Sequence, residues 1–192
     1  MPRLAVRNID FFERAVGFSR PFRFGAVVVT SASQLFVRVE IENEGGKTFV
    51  GASAERLVPK WLDKRAHLSR DQTVDELRSS LEISRGLYLA SSDFDNPFGH
   101  HASRIAAQIE ACAREDIPSL AAIFGPAEID KAIIDALLRS ADIDFFKGMS
   151  ENVAGIDARL APDGFQRDET NEQRLIKLES LLARATNDWP LL

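Results

Sequence analysis

Serine, histidine and carboxylate side chains are where chemistry is first sought in this chain. Ser53 stands in Gly51-Ala52-Ser53-Ala54-Glu55. A nucleophile elbow needs glycine at the fifth place, on a strand-to-helix turn. Glu55 holds that place, so the motif reads as a strand end. Asp93-Phe94-Asp95-Asn96-Pro97 offers two acidic groups at calcium-loop spacing. The third ligand, the loop glycine and the twelfth-position glutamate are then missing, and Asx-turn chemistry accounts for the run. His100 and His101 are adjacent, so on a helix their side chains diverge by about 100° and cannot share a metal. Asp130 and Asp135 are five apart and point differently. Asp135, between Ile134 and Ala136, reads as a buried hydrogen-bonding carboxylate. The chain has no phosphate-cradling lysine loop and no dinucleotide glycine fingerprint. Cys112 is the single cysteine, so no intrachain disulfide forms and a reducing compartment fits.

The elements that must position these residues follow from periodicity. Residues 22–30 are β-branched and aromatic after Pro21 and read as a strand. Residues 36–42 alternate, with Val37, Val39 and Ile41 on one face and Arg38, Glu40 and Glu42 on the other. Asn43-Glu44-Gly45-Gly46 supplies a turn, and residues 47–54 return as the partner strand. Helices fill the remainder. Thr73-Val74-Asp75-Glu76 is a capping box, opening a helix with Val74, Leu77, Leu81, Ser84 and Tyr88 on one stripe. Residues 91–99 form a loop. A second helix spans 102–114 with Ile105, Ile109 and Cys112 inward, and Pro118 interrupts the pattern. Gly125-Pro126 begins a third helix, whose apolar face is Ile129, Ile133, Leu137 and Ile134. Residues 152–168 read as irregular, and Thr170-Asn171-Glu172-Gln173 opens a last helix with Leu175, Leu178 and Leu182 inward. The end, Asp188-Trp189-Pro190-Leu191-Leu192, is apolar; it must dock somewhere, or the sequence continues in the intact protein.

The 192 residues are 45% apolar and 28% charged, ordinary for a globular domain, with a formal charge of −5. Residues 1–70 carry 12 Lys+Arg against 7 Asp+Glu, whereas residues 71–192 carry 12 against 22. The basic part suits an anionic ligand, but no five-residue basic run occurs, so nucleic acid is not an expected partner. No apolar run approaches the roughly 20 residues that span a bilayer, and the N-terminus lacks a secretory apolar region. A cytoplasmic protein with no membrane partner is expected.

One pattern goes further. Pro21-Phe22-Arg23-Phe24-Gly25 with Val27-Val28-Val29-Thr30, then Phe36-Val37-Arg38-Val39, Gly51-Ala52-Ser53-Ala54-Glu55 and Pro59-Lys60-Trp61, are followed by Phe124-Gly125-Pro126 and the run from Asp130 to Ala136. In order and spacing these resemble the N-terminal capping domain of the enolase superfamily, the mandelate racemase-like branch in particular. The resemblance covers roughly residues 1–155. It implies an α+β fold, a three-stranded antiparallel meander followed by a helical bundle. Residues 1–153 would be the capping domain, and 154–192 a linker and C-terminal helix, the truncated approach to a missing barrel.

In that family a C-terminal (β/α) barrel does the chemistry: a Lys-x-Lys pair supplies a base, three acidic residues hold Mg²⁺, and a proton next to a carboxylate is abstracted. No two lysines here are spaced by two, and 39 residues from Ala154 onward fall short of the about 250 of a typical barrel. No catalytic or metal-binding residue is therefore carried over; Mg²⁺ is implied only for a full-length member, a lyase, isomerase or racemase. The capping domain's contribution is a lid of two loops. The matching positions are Arg20, Phe22 and Arg23 in one loop, and Glu55, Lys60 and Trp61 in the other. Arginine and lysine suit a small carboxylate substrate, which would bind only where a barrel is present. Two further readings stay open: a stand-alone α+β binding or interaction module, able to self-associate as a homo-oligomer, and an unrelated small-molecule enzyme, for which no constellation is found.

Overall fold

Val37, Val39 and Ile41 are sealed from solvent at 1% exposure or less, as period-two alternation on a half-buried strand requires. The computed structural model that shows this describes residues 1–24 and 27–160. Strand β2 (Val27–Asn43) lies at the centre of a three-stranded antiparallel sheet, between β1 (Leu4–Phe24) and β3 (Thr48–Arg56). The expected α+β order, meander first and helices after, is what the chain adopts. The β2–β3 hairpin turns where glycine allows it. Asn43 Oδ1 accepts from the amides of Gly45 and Lys47, both at 3.0 Å, and Gly46 takes a φ of +76°, which a Cβ would disfavour.

Residues 22–30 are not one strand. Phe22 pairs with Val29 and Arg23 with Val28, so the β-forming run straddles a reversal between β1 and β2. The earlier part of β1 escaped periodicity because a register shift between Val6 and Asn8 changes the parity of its inward residues, from Leu4 and Val6 to Ile9 and Phe11.

Helix α1 (Arg70–Leu89) starts earlier than the Thr73–Glu76 box implied. Ser69 is the cap: its Oγ accepts from the Gln72 amide at 3.1 Å and its own amide donates to Gln72 Oε1 at 2.8 Å. Two consecutive boxes, Ser69–Gln72 and Thr73–Glu76, compete, and the upstream one wins. Thr73 is then inside the helix, and its hydroxyl donates to the carbonyl of Arg70 at 2.9 Å. The stripe Leu77, Leu81, Ser84 and Tyr88 is buried, with Val74 half-buried against the core.

Helix α2 (Pro97–Arg114) also begins early, capped by Asn96 Oδ1, which accepts from the Gly99 amide at 2.7 Å. Its inner face differs from the expected one. Ile109 is 38% exposed while Gln108 is buried, because its amide donates to the carbonyls of Ala122 at 2.9 Å and Ser80 at 3.1 Å. After Pro118 a short α3 (Ser119–Ala122) leads into α4 (Phe124–Ala141), whose Ile129, Ile133 and Leu137 are buried as expected, with Ile134 half-exposed. Helix α4 lies on the inner face of β2 and β3. Gly51 makes that seat possible: a Cβ there would lie 2.2 Å from the Ala132 carbonyl oxygen and the Ala136 nitrogen.

A sharp left-handed residue, Asp142 at φ +52°, ends α4 and α5 (Phe145–Ser150) folds back, with Asp144 capping it through the Lys147 amide at 2.8 Å. Residues 152–160 are irregular apart from a 3₁₀ turn, Ala158–Leu160. The expected helix after Thr170, and Trp189, lie outside the described residues. Among the described residues, no helix is long and apolar enough to cross a membrane.

Candidate functional site

The end of β1 and the start of β2 run on past the end of β3, which stops with Arg56 opposite Gln34, whereas Phe22 and Arg23 lie opposite Val29 and Val28. The six candidate residues therefore fall into two groups, separated along β2. Arg20, Phe22 and Arg23 lie within four residues on the outer part of β1 and are exposed. Glu55 closes β3, while Lys60 and Trp61 sit in the 3₁₀ turn Pro59–Trp61 that follows.

The second group is engaged in holding structure. Lys60 Nζ donates to the carbonyls of Arg65 at 3.1 Å and Leu68 at 3.3 Å, pinning the loop ahead of α1. Glu55 stands 3.6 Å from Lys131 Nζ, which approaches the buried Glu128 at 2.6 Å. Trp61 is 58% exposed.

The first group extends along the outer face of the sheet. Phe12, Phe36 and Ala54 form one cross-strand row, and Arg14, Gln34 and Arg56 the next. The Arg14 guanidinium lies 5.6 Å from the Phe36 ring centre and that of Arg56 4.9 Å from Phe18, within cation–π range. Lower on the sheet, Arg38 is neutralised by Asp10 at 3.0 Å and Arg7 by Glu42 at 2.7 Å. Arg14, Arg20, Arg23 and Arg56 make no ion pair with a described carboxylate. Uncompensated positive charge thus collects at the sheet's far end, amid phenylalanines. The signal was in the sequence: Phe12, Arg14, Val16, Phe18, Arg20 and Phe22 alternate with period two.

A second cluster lies among the helices. Asp130 on α4 accepts the Tyr88 hydroxyl at 2.6 Å on one oxygen, and His101 Nδ1 stands 2.7 Å from the other. Phe98 stacks on His101, centroids 6.3 Å apart at 20°. The bond to Asp130 raises the His101 pKa, burial opposing; burial, then Asp130, pushes the Tyr88 hydroxyl above its ordinary range. Such a pair orients the imidazole and fixes its tautomer. Ser53 is on β3, its hydroxyl donating to the Glu128 carbonyl at 2.8 Å. His100 turns away as expected for adjacent helical residues: it is buried, Nε2 2.8 Å from the Leu4 carbonyl oxygen. Asp135 accepts from the Ala52 amide at 2.9 Å and from Arg139 at 2.9 Å, half-buried rather than buried. Among the described residues no three His, Cys, Asp or Glu side chains converge to hold a metal ion.

No family model matches this sequence, and no curated protein matches it. Among solved structures, the chain is similar to an enolase from alpha pretobacterium bal199 with bound Mg, with a TM-score of 0.52 and 13% identity over 95% of this chain and 53% of the enolase chain. It thus spans about half the length of that enolase, and the likeness is one of fold. A substrate-liganded L-Ala-D/L-Glu epimerase from Bacillus subtilis matches at a TM-score of 0.38 and 19% identity, over 71% of this chain and 32% of the epimerase.

Proposed function

We propose that this chain is the capping portion of an enolase-superfamily protein, with the far end of its sheet lying over the mouth of a (β/α) barrel. Arg20, Phe22 and Arg23 would meet a small carboxylate substrate there, the arginines pairing with the carboxylate and Phe22 offering an apolar wall. Trp61 would flank the same mouth. Glu55 and Lys60 serve this lid indirectly, by fixing the end of β3 and the turn beyond it. The chain alone is not catalytic in this reading. The barrel would bring the base and the ligands for Mg²⁺; the donor set described here does not fit that ion, so no step on these residues runs through it.

The observation that carries the proposal is the coincidence of two features. The fold is shared with an enolase along 95% of this chain, and Arg20 and Arg23, without described carboxylate partners, project at the end of its sheet.

The test begins with the intact mass of the protein captured from its source cells. A mass about twice 21.3 kDa is expected, since a barrel adds about 250 residues. That protein is then assayed for Mg²⁺-dependent exchange of the hydrogen next to the carboxylate in a panel of small acids. Arg20→Ala with Arg23→Ala should raise KM about tenfold or more while leaving the unfolding midpoint in place, the loss of a charge-assisted contact. A mass of 21.3 kDa overturns the reading in favour of a stand-alone binding module; an unchanged KM removes the arginines from it.

A further inference from the structure

The loop of residues 57–69 joins β3 to α1 and carries Lys60 and Trp61. A charge cluster anchors it at its middle. Asp63 is 3% exposed, deeper than an unpaired carboxylate is found. Its Oδ1 accepts from the Arg65 amide at 2.8 Å, and its Oδ2 from Arg65 Nε at 3.0 Å. One terminal nitrogen of that guanidinium, Nη2, lies 2.9 Å from Asp63 Oδ2 and also donates to Glu76 Oε1 on α1. The other, Nη1, donates to the carbonyl and the carboxylate of Asp116, both at 2.9 Å. Arg65 thus ties the loop to α1 and to the turn after α2.

The charges of this cluster do not cancel. Asp63 and Glu76 meet on one guanidinium nitrogen, with side chains 3% and 16% exposed. Two such carboxylates beside a single cation leave a negative charge in excess, away from water. Asp116 shares the cation but is 94% exposed, so solvent screens it. The excess is marked on one atom. Glu76 Oε2 is buried, and among the described residues no donor reaches it. As a bare carboxylate oxygen it would go unsatisfied, whereas an O–H there has the Asp63 carboxylate as its acceptor. Burial, then Asp63, raises the Glu76 pKa. For Asp63 burial pushes upward, but the hydrogen bonds from Arg65 prevail and lower it. The charged groups facing the pair are Arg65 and, through it, Asp116; no further described charge reaches it from α2, α3, α4 or β1.

We infer that Asp63 and Glu76 share one proton, carried on Glu76 Oε2, and that this proton latches the loop bearing Lys60 and Trp61 onto α1. Its consequence for a lid rests on the capping reading; the shared proton does not. With the proton in place, one acid, one carboxylate and one guanidinium remain, and their charges cancel. When the proton leaves to water, two carboxylates repel across one cation. The loop is the side that yields, because Glu76 sits within a 20-residue helix. Lys60 Nζ holds the Arg65 carbonyl at 3.1 Å, so movement of Arg65 passes to the Pro59–Trp61 turn. The latch therefore closes in a window of pH. It is lost on the alkaline side as pH rises through the raised Glu76 pKa, and on the acid side as pH falls through the lowered Asp63 pKa.

The test follows the full chain, ¹³C-labelled at its carboxyl groups, by nuclear magnetic resonance between about pH 3 and 9. Glu76, identified by the signal missing from Glu76→Gln, should titrate above the about 4.3 of an ordinary glutamate, and Asp63 below the about 3.9 of an ordinary aspartate. Titration of Glu76 at or below its ordinary value overturns the shared proton. In Trp189→Phe, Trp61 is the sole tryptophan, and its emission should shift with the Glu76 midpoint. Glu76→Gln keeps a donor for Asp63 but cannot ionise, so it should abolish that alkaline shift. Asp75→Asn, at the exposed neighbouring position, should retain it. Trp61 emission that ignores the Glu76 midpoint overturns the latch. None of these readouts needs a barrel, so failure here is distinct from failure of the capping reading.

Discussion

His101 Nδ1 stands 2.7 Å from Asp130 Oδ2, although 29 residues separate them. Its neighbour His100 is buried against the Leu4 carbonyl at 2.8 Å. The two adjacent imidazoles therefore respond oppositely to acid. Asp130 raises the pKa of His101, whereas burial lowers that of His100.

For His101 the folded pKa exceeds the unfolded value of about 6.5. Its pairing stabilises the fold fully below pH 6.5, and that contribution is lost as pH rises through the raised pKa. His101→Gln should thus cost more at pH 5.5 than at pH 8.5, read from urea midpoints. For His100 the sign reverses: its stabilising neutrality is present above pH 6.5 and lost as pH falls toward the lowered pKa. His100→Gln should flatten the fall in stability below pH 6.5. Equal losses at both pH values for His101→Gln would show that its bond to Asp130 carries no differential energy.

Two glycines separate contact from conformation. Gly51→Ala sets a Cβ 2.2 Å from backbone atoms of Ala132 and Ala136, so α4 must lift off the sheet. A loss of about 3 kcal/mol or more is expected, beyond the usual overpacking range at its upper end. Gly86→Ala, at an exposed position of α1 where a Cβ would meet nothing within 4 Å, should stabilise by about 0.5–1 kcal/mol. Thermal unfolding of the pair checks both signs.

Val39 is fully buried at the centre of β2. Val39→Asp places an unpaired charge in the core and should leave no cooperative unfolding transition at 25 °C or above. Val50→Asp, at a position 41% exposed on β3, should retain one. Near-ultraviolet circular dichroism with heating distinguishes them.

Ser69 caps α1, so Ser69→Ala should cost about 1 kcal/mol. Asp75→Ala, a few residues on, loses only the exposed pair with Arg78 at 2.7 Å and should lie within about 0.5 kcal/mol of wild type. Denaturant midpoints measure both, and equal values would return the cap to Thr73.

What local sequence encodes was legible: the alternation of Val37, Val39 and Ile41, the glycine turn, and the stripe Ile129, Ile133, Leu137. The early part of β1 was not, because the shift at Arg7 breaks a period-two count that assumes uniform pairing. The cap of α1 was misplaced because a serine box, Ser69–Gln72, directly precedes the threonine box there. The inner face of α2 was misread at Ile109, since only the carbonyls of Ser80 and Ala122 make a buried Gln108 tolerable. Of the site, the arginine and phenylalanine types were visible, but Lys60 holding two carbonyls and Asp130 joining Tyr88 to His101 depend on packing between distant segments.

Helix α4 meets β3 across long stretches of sequence: Ser53 to Glu128 spans 75 residues and Ala52 to Asp135 spans 83. On the ribosome the meander emerges well before the helix that roofs it. At about 5–20 residues per second, the 68 residues from Arg56 to Phe124 take roughly 3–14 s to synthesise. For that interval Val37, Val39 and Ile41 form an apolar surface without its lid, beside the bare edge of β3. A nascent chain stalled within residues 60–120 is therefore the form of this protein most exposed to chaperone capture and to pairing with another chain.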